Sequence, residues 1–125
     1  MIFDTDVLIW AFRGNSAAAR AINLERDRSM SVVTLMELLQ GARSKLEAQQ
    51  IQKSLRQLGF RTLHLSQPIG TTATAMVQMY SLSHGIQVTD ALIAATALEV
   101  GETLCTGNIK HFRVVPGLEL AAFKR

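Results

Sequence analysis

Short apolar segments alternate with longer runs of helical periodicity along the whole chain, and this alternation is what most restricts its fold. The opening "MIF" reads as a short buried strand, and "DVLIWAFRG" follows as a helix that Gly14 can stop. After a second helical run, "SAAARAINLER", come the strand "RSMSVV" and the helix "TLMELLQGAR". In "KLEAQQIQKSLRQLG" the apolar residues Leu46, Ile51, Leu55 and Leu58 form a narrow stripe on a polar helix closed by Gly59. "RTLHL" is the next strand, and a long helix then runs from about Pro68 to His84, with Gly85 beyond its end. The remainder reads as a short strand "IQV", a helix "DALIAATALEVG", a strand "ETLCT", a turn of helix through "NIKHF" and a last edge strand "LELAA". Strands separated by helices pair in parallel through right-handed crossovers. The expected fold is α/β, a small and mostly parallel sheet with helices on both faces, built as one domain over residues 1–125. Such sheets bind ligands at the carboxyl ends of their strands, so polar residues at strand-to-helix junctions are the site candidates.

Composition removes several classes. No apolar run approaches the roughly 18 residues of a membrane span, and the first strand starts without a signal-peptide pattern, so a cytoplasmic protein with no membrane association is expected. Cys105 is the only cysteine, which excludes an internal disulfide and a cysteine-rich zinc cluster; in "TLCT" it reads as a buried, inert thiol. The formal charge is +3. With Asp4, Asp6, Glu37 and Asp90 set aside, thirteen Lys and Arg stand against six acids, so the remainder carries +7 around an acidic spot. A basic surface of this kind attracts polyanions, chiefly nucleic acid.

The junctions hold those acids. Asp4 and Asp6 follow the first strand, Glu37 lies in the first turn after "SVV", Asp90 opens the helix after "IQV", and Thr106 and Asn108 follow "ETLCT". Helix capping offers each a structural role: Asp6 as the cap of its helix, Thr34 to Glu37 as a capping box, and Asp90 against the helix dipole. That account leaves Asp4 without a structural duty. Two carboxylates about 5 Å apart repel by roughly 3 kcal/mol at an effective dielectric near 20, so several together need protons or a countercharge. An all-oxygen set of carboxylates with one amide suits Mg²⁺ or Mn²⁺ better than zinc. On a basic protein, that combination points to phosphate chemistry.

Four blocks in order then carry a resemblance. "IFDTDVLIW", "SVVTLMELLQGA", "VTDALIAATAL" and "LCTGNIKHF" make the chain resemble the PIN-domain family, and within it the VapC-type toxins of toxin–antitoxin pairs. The resemblance implies a three-layer PIN-like fold of flavodoxin-like topology. It also implies a Mg²⁺-dependent endoribonuclease that hydrolyses RNA phosphodiester bonds, a VapB-like antitoxin partner and a homodimer. Carried over, Asp4, Glu37 and Asp90 are the metal ligands. Asn108 stands where many members have Asp and brings no charge; Asp6 stands where Asn or Ser is commoner and returns part of that charge. The region from Arg43 to Gly59 corresponds to one that often contacts the antitoxin.

Other readings compete. Asp4 and Asp6 also match the Asp-x-Asp strand tip of haloacid dehalogenase-like phosphatases, but no downstream Asp pair follows. A receiver domain needs an Asp at the end of its third strand, where "RTLHLSQ" has none. A PIN fold that binds without catalysis is the third reading, and Asn108 is the feature that favours it. Near the site in sequence, Lys110, His111 and Arg113 are candidate phosphate contacts, and Arg13 is a candidate to face the groove. His64 falls in a strand and His84 near a helix end, so neither supports nucleophilic chemistry. Trp10, Phe12 and Met36 lie at apolar helical positions and read as core or interface rather than as base-stacking groups.

Overall fold

Only two residues, Ile2 and Phe3, make the central strand β1, and both are fully buried. Successive strand side chains point to opposite faces, so each goes to a different core. The computed structural model describes residues 1–125. After β1 the order is α1 (Thr5–Phe12), α2 (Ser16–Leu24), β2 (Ser29–Ser31), α3 (Val32–Gln40), α4 (Lys45–Gln57) and β3 (Arg61–Leu63). Then follow α5 (Gln67–His84), α6 (Val88–Val100), β4 (Leu104–Thr106), α7 (Ile109–Phe112) and β5 (Leu120–Ala122). The five strands pair in parallel throughout, in the order β3-β2-β1-β4-β5. This is the α/β fold with helices on both faces.

Register keeps the two cores apart. Ile2 pairs with Leu104 and packs with Ile69, Met76, Ile93 and Phe112 from α5, α6 and α7. Phe3 pairs with Cys105 and packs with Val7, Leu8, Ile22 and Leu55 from α1, α2 and α4. Cys105 is buried as expected, and burial pushes its thiol up to about 11, which keeps it unreactive. "LELAA" does contribute the edge strand β5. No helix is long and apolar enough to cross a membrane.

Four local expectations are corrected. "IQV" forms no strand: residues 85–87 bridge α5 to α6, Ile86 plugs the core between them, and Val88 already begins α6. Asp4, rather than Asp6, caps α1, because the helix begins one residue earlier, at Thr5, and the Thr5 N–H donates to Asp4 Oδ1 at 2.8 Å. Ser31 caps α3 by accepting from the Val33 N–H, which places Thr34 and Glu37 inside the helix instead of at a capping box. β3 also stops at Leu63, leaving His64 outside the sheet and exposed.

The chain runs outward from β1 to β2 and β3, then returns through α5 and α6 to place β4 on the other side of β1. The order thus reverses between β1 and β4, and the crevice at their carboxyl ends is where such sheets bind ligands. Asp4 follows β1 and Thr106 ends β4.

Candidate active site

Two hydrogen bonds across that crevice fix Asp4. The Thr106 hydroxyl donates to Asp4 Oδ2 at 2.8 Å, complementing the Thr5 N–H on Oδ1, so both carboxylate oxygens are held. The same Thr106 oxygen accepts from the Asn108 N–H at 2.9 Å, and the N–H of the next residue after Thr106, Gly107, donates to Asp6 Oδ2 at 3.0 Å. Asp6 Oδ1 is buried and has no partner. Thr5 extends the network: its hydroxyl donates to Glu37 Oε1 at 2.8 Å and lies 3.0 Å from the hydroxyl of Thr34. One residue between two acids therefore ties α3 to the tip of β1.

Asp90 enters from α6. Its Oδ2 accepts a long 3.4 Å bond from the Gln87 N–H and lies 3.6 Å from His111 Nδ1. That same ring nitrogen is 2.8 Å from the side-chain amide nitrogen of Asn108. His111, a candidate phosphate contact, is partly buried and lies between Asp90 and Asn108.

Electrostatics register the crowding. Burial raises the Asp4 carboxyl to about 7, with the charges of Asp6 and Asp90 adding to the shift and the bonds from Thr106 and Thr5 opposing it. Burial also raises Asp6, assisted by the charge on Asp90 and opposed by the Gly107 N–H. The cluster is an anionic pocket held at a cost, and a cation would remove that cost. As the side chains stand, no group of three or more His, Cys, Asp or Glu converges to hold an ion, because the acids meet through Thr5, Thr106 and Gly107. The set still fits Mg²⁺, which keeps several waters and needs only one or two direct carboxylates. The unpartnered Asp6 Oδ1 is the clearest sign of that fit.

The junction residues Asp4, Asp6, Glu37, Asp90, Thr106 and Asn108 are thus brought into one connected site, with His111. Lys110 and Arg113 are exposed on and after α7, and neither bonds to the cluster. Arg13 caps α1, with its guanidinium 5.7 Å from the Trp10 ring centroid. Phe12 and Met36 are 40% and 52% exposed, so neither joins the core, while Trp10 is half-buried against it. Sequence reasoning passed over Thr5 and Gly107. Their positions beside Asp4, Asp6 and Thr106 were the available signal.

The PIN domain family model matches residues 1–118. Over 124 residues the chain is 33% identical to ribonuclease VapC19 of Mycobacterium tuberculosis (strain CDC 1551 / Oshkosh), covering 94% of this chain and 96% of that one. A toxin–antitoxin complex from Klebsiella pneumoniae superposes with a TM-score of 0.81 at 30% identity, over 97% of this chain and 95% of that chain. VapBC2 from Rickettsia felis, bound to a DNA fragment from its promoter, has the same fold with a TM-score of 0.82 at 22% identity, over 99% of this chain and 100% of that chain.

Proposed function

The chain belongs to the PIN-domain family, in its VapC branch, and on that premise we propose that it is a Mg²⁺-dependent endoribonuclease, the toxin of a toxin–antitoxin pair. The observation that carries the reading is the meeting of Asp4, Asp6, Glu37 and Asp90 at the β1–β4 crevice, where burial and neighbouring charge raise Asp4 to about 7. Asp4, Asp90 and Glu37 would hold the ion, with Asp6 adding charge; Mn²⁺ suits the same oxygens. When bound, the ion supplies charge stabilisation at the phosphate and lowers the pKa of an attacking water.

The chain's own groups set the geometry for hydrolysis. Thr106 and Thr5 hold Asp4 by both oxygens, so its carboxylate keeps one orientation as RNA enters. The Thr5 hydroxyl does the same for Glu37. Gly107 turns Asp6 so that Oδ1 remains free to accept a hydrogen bond from water. His111 Nδ1 accepts from the Asn108 amide and draws it toward the ring, away from a role as a bare ligand.

An antitoxin fits the groove between α1, α3 and α4, lined by Ile9, Phe12, Leu38, Arg43 and Ile51 and reaching Glu37. The toxin–antitoxin complex of Klebsiella pneumoniae supports such a partner. Exposed Met79 and Leu82 on α5 and Val88 on α6 are the apolar surface that favours a homodimer.

Purified chain with Mg²⁺ should cut single-stranded RNA to products with 5′-phosphate ends, and a chelator should stop it. Cleavage that persists in chelator, or no cleavage of any RNA pool, would overturn the reading. Asn108→Asp should tighten Mg²⁺ binding in calorimetry if position 108 faces the ion; an unchanged affinity would leave residue 108 as a partner of His111 alone. Gly107→Ala provides a third check. A Cβ there would lie 2.7 Å from Asp6 Oδ2, so Asp6 must turn away, and Mg²⁺ affinity should fall about tenfold, as for other residues that orient a ligand. Unchanged affinity would remove Asp6 from the site.

A further inference from the structure

Beside the acids lies a second cleft, of about 550 Å³, whose walls include Asp6, Trp10, Asn108, Lys124 and Arg125. That is the size range of small-ligand pockets. Trp10 stands four residues after Asp6 on α1, which puts the indole and the carboxylate on one helix face. The Arg125 guanidinium lies over the indole, 4.2 Å from the ring centroid, and Arg13 approaches it at 5.7 Å. Arg13, Lys124 and Arg125 are all exposed, and none makes an ion pair within the chain. A flat aromatic face ringed by free cations, next to a phosphate-directed acid cluster, is the chemistry that receives a nucleotide.

We infer that this cleft binds the nucleotide flanking the scissile phosphate, with its base stacked on Trp10 and its backbone phosphate on Lys124 and Arg125. The inference rests on the RNA-cleavage reading and adds a specificity-determining subsite to it. In the free protein Arg125 occupies the indole face. An exposed cation–π contact is worth about two- to fivefold in affinity, whereas a base stacked on an aromatic ring is worth about five- to a hundredfold. The base therefore displaces the guanidinium, and the exposed Arg125 turns to the incoming phosphate. Trp10 thus has a recognition role that its apolar helical position did not suggest.

Trp10 is the only tryptophan, so indole fluorescence reports on this cleft alone. In an Asp4→Asn background, binding of short random-sequence single-stranded RNA can be read without cleavage. The RNA should quench the indole saturably. Trp10→Leu, which keeps apolar packing but loses the flat face, should weaken RNA binding about tenfold, while Trp10→Phe retains most of the affinity. Lys124→Ala and Arg125→Ala should each weaken binding and lower its salt dependence. RNA binding with unchanged indole emission would overturn the subsite while leaving the nuclease reading intact. So would equal losses in Trp10→Leu and Trp10→Phe, which would mark the ring as structural. If Arg125→Ala impairs binding of an acidic peptide or the antitoxin but not of RNA, the cleft is a protein-docking site and the inference fails. No RNA binding by any variant would overturn both readings.

Discussion

Replacing Asp4 by Asn is expected to stop RNA cleavage while stabilising the metal-free protein at neutral pH. The two effects share one cause. Asp4 is buried with its proton affinity raised to about 7, so its negative charge is costly until a cation compensates it. Asn keeps the shape and an oxygen to cap α1, but it cannot carry the charge. Losing a charged ligand removes several kcal/mol of stabilisation at the phosphate, which corresponds to a rate loss of about 10³-fold or more. Removing the buried charge should return about 2 kcal/mol of stability after the poorer hydrogen bonding to Thr106 is discounted, or roughly 8 °C in Tm. RNA cleavage assays and thermal unfolding in chelator check the two halves. A variant that still cuts RNA would remove Asp4 from the catalytic set, and one that melts earlier than the parent would show that the Asp4 charge does not destabilise the metal-free fold.

Much of this site was legible because strand tips are local features. The residue after a short apolar run at the start of a helix must stand at a sheet edge, and this logic found Asp4, Thr106 and Asn108 without any tertiary information. Glu37 was found for an incomplete reason: it sits inside α3, and what joins it to the site is Thr5, distant in sequence. Asp90 was found although its preceding strand does not exist. "IQV" carries the alternation of a strand, and only the packing of α5 against α6 decides that it is a bridge. Assigning the cap within "DTD" required knowing that α1 begins at Thr5, one residue before the start read from "DVLIWAFRG". The hydrogen bond from Gly107 to Asp6 joins opposite ends of the chain, and no local pattern encodes it.

The stability of the metal-free protein should fall as pH rises from about 4 to about 7, and Mg²⁺ should reverse that trend. The Asp4 carboxyl lies near 7 in the folded chain, against an ordinary value of 3.8, through burial first and then the charge of Asp6. The folded state therefore binds more protons than the unfolded state in this window. Because unfolding stability changes with pH in proportion to the protons bound unfolded minus those bound folded, the slope from this group is negative. Its stabilisation is present in full below the unfolded value and is lost as pH passes the folded one, a change of about 4 kcal/mol over the window. Asp6, raised by burial and by Asp90, acts in the same direction. A bound cation favours the charged forms, so Mg²⁺ binding should release protons near pH 7 and stabilise the protein more at high pH than at low. Urea unfolding across this range, with chelator and with Mg²⁺, tests both trends, and Asp4→Asn should flatten the metal-free profile. Metal-free stability that stays level or climbs over the same window, after correction by the Asp4→Asn profile, would show that the Asp4 carboxylate is not held in the crevice as a buried, uncompensated charge.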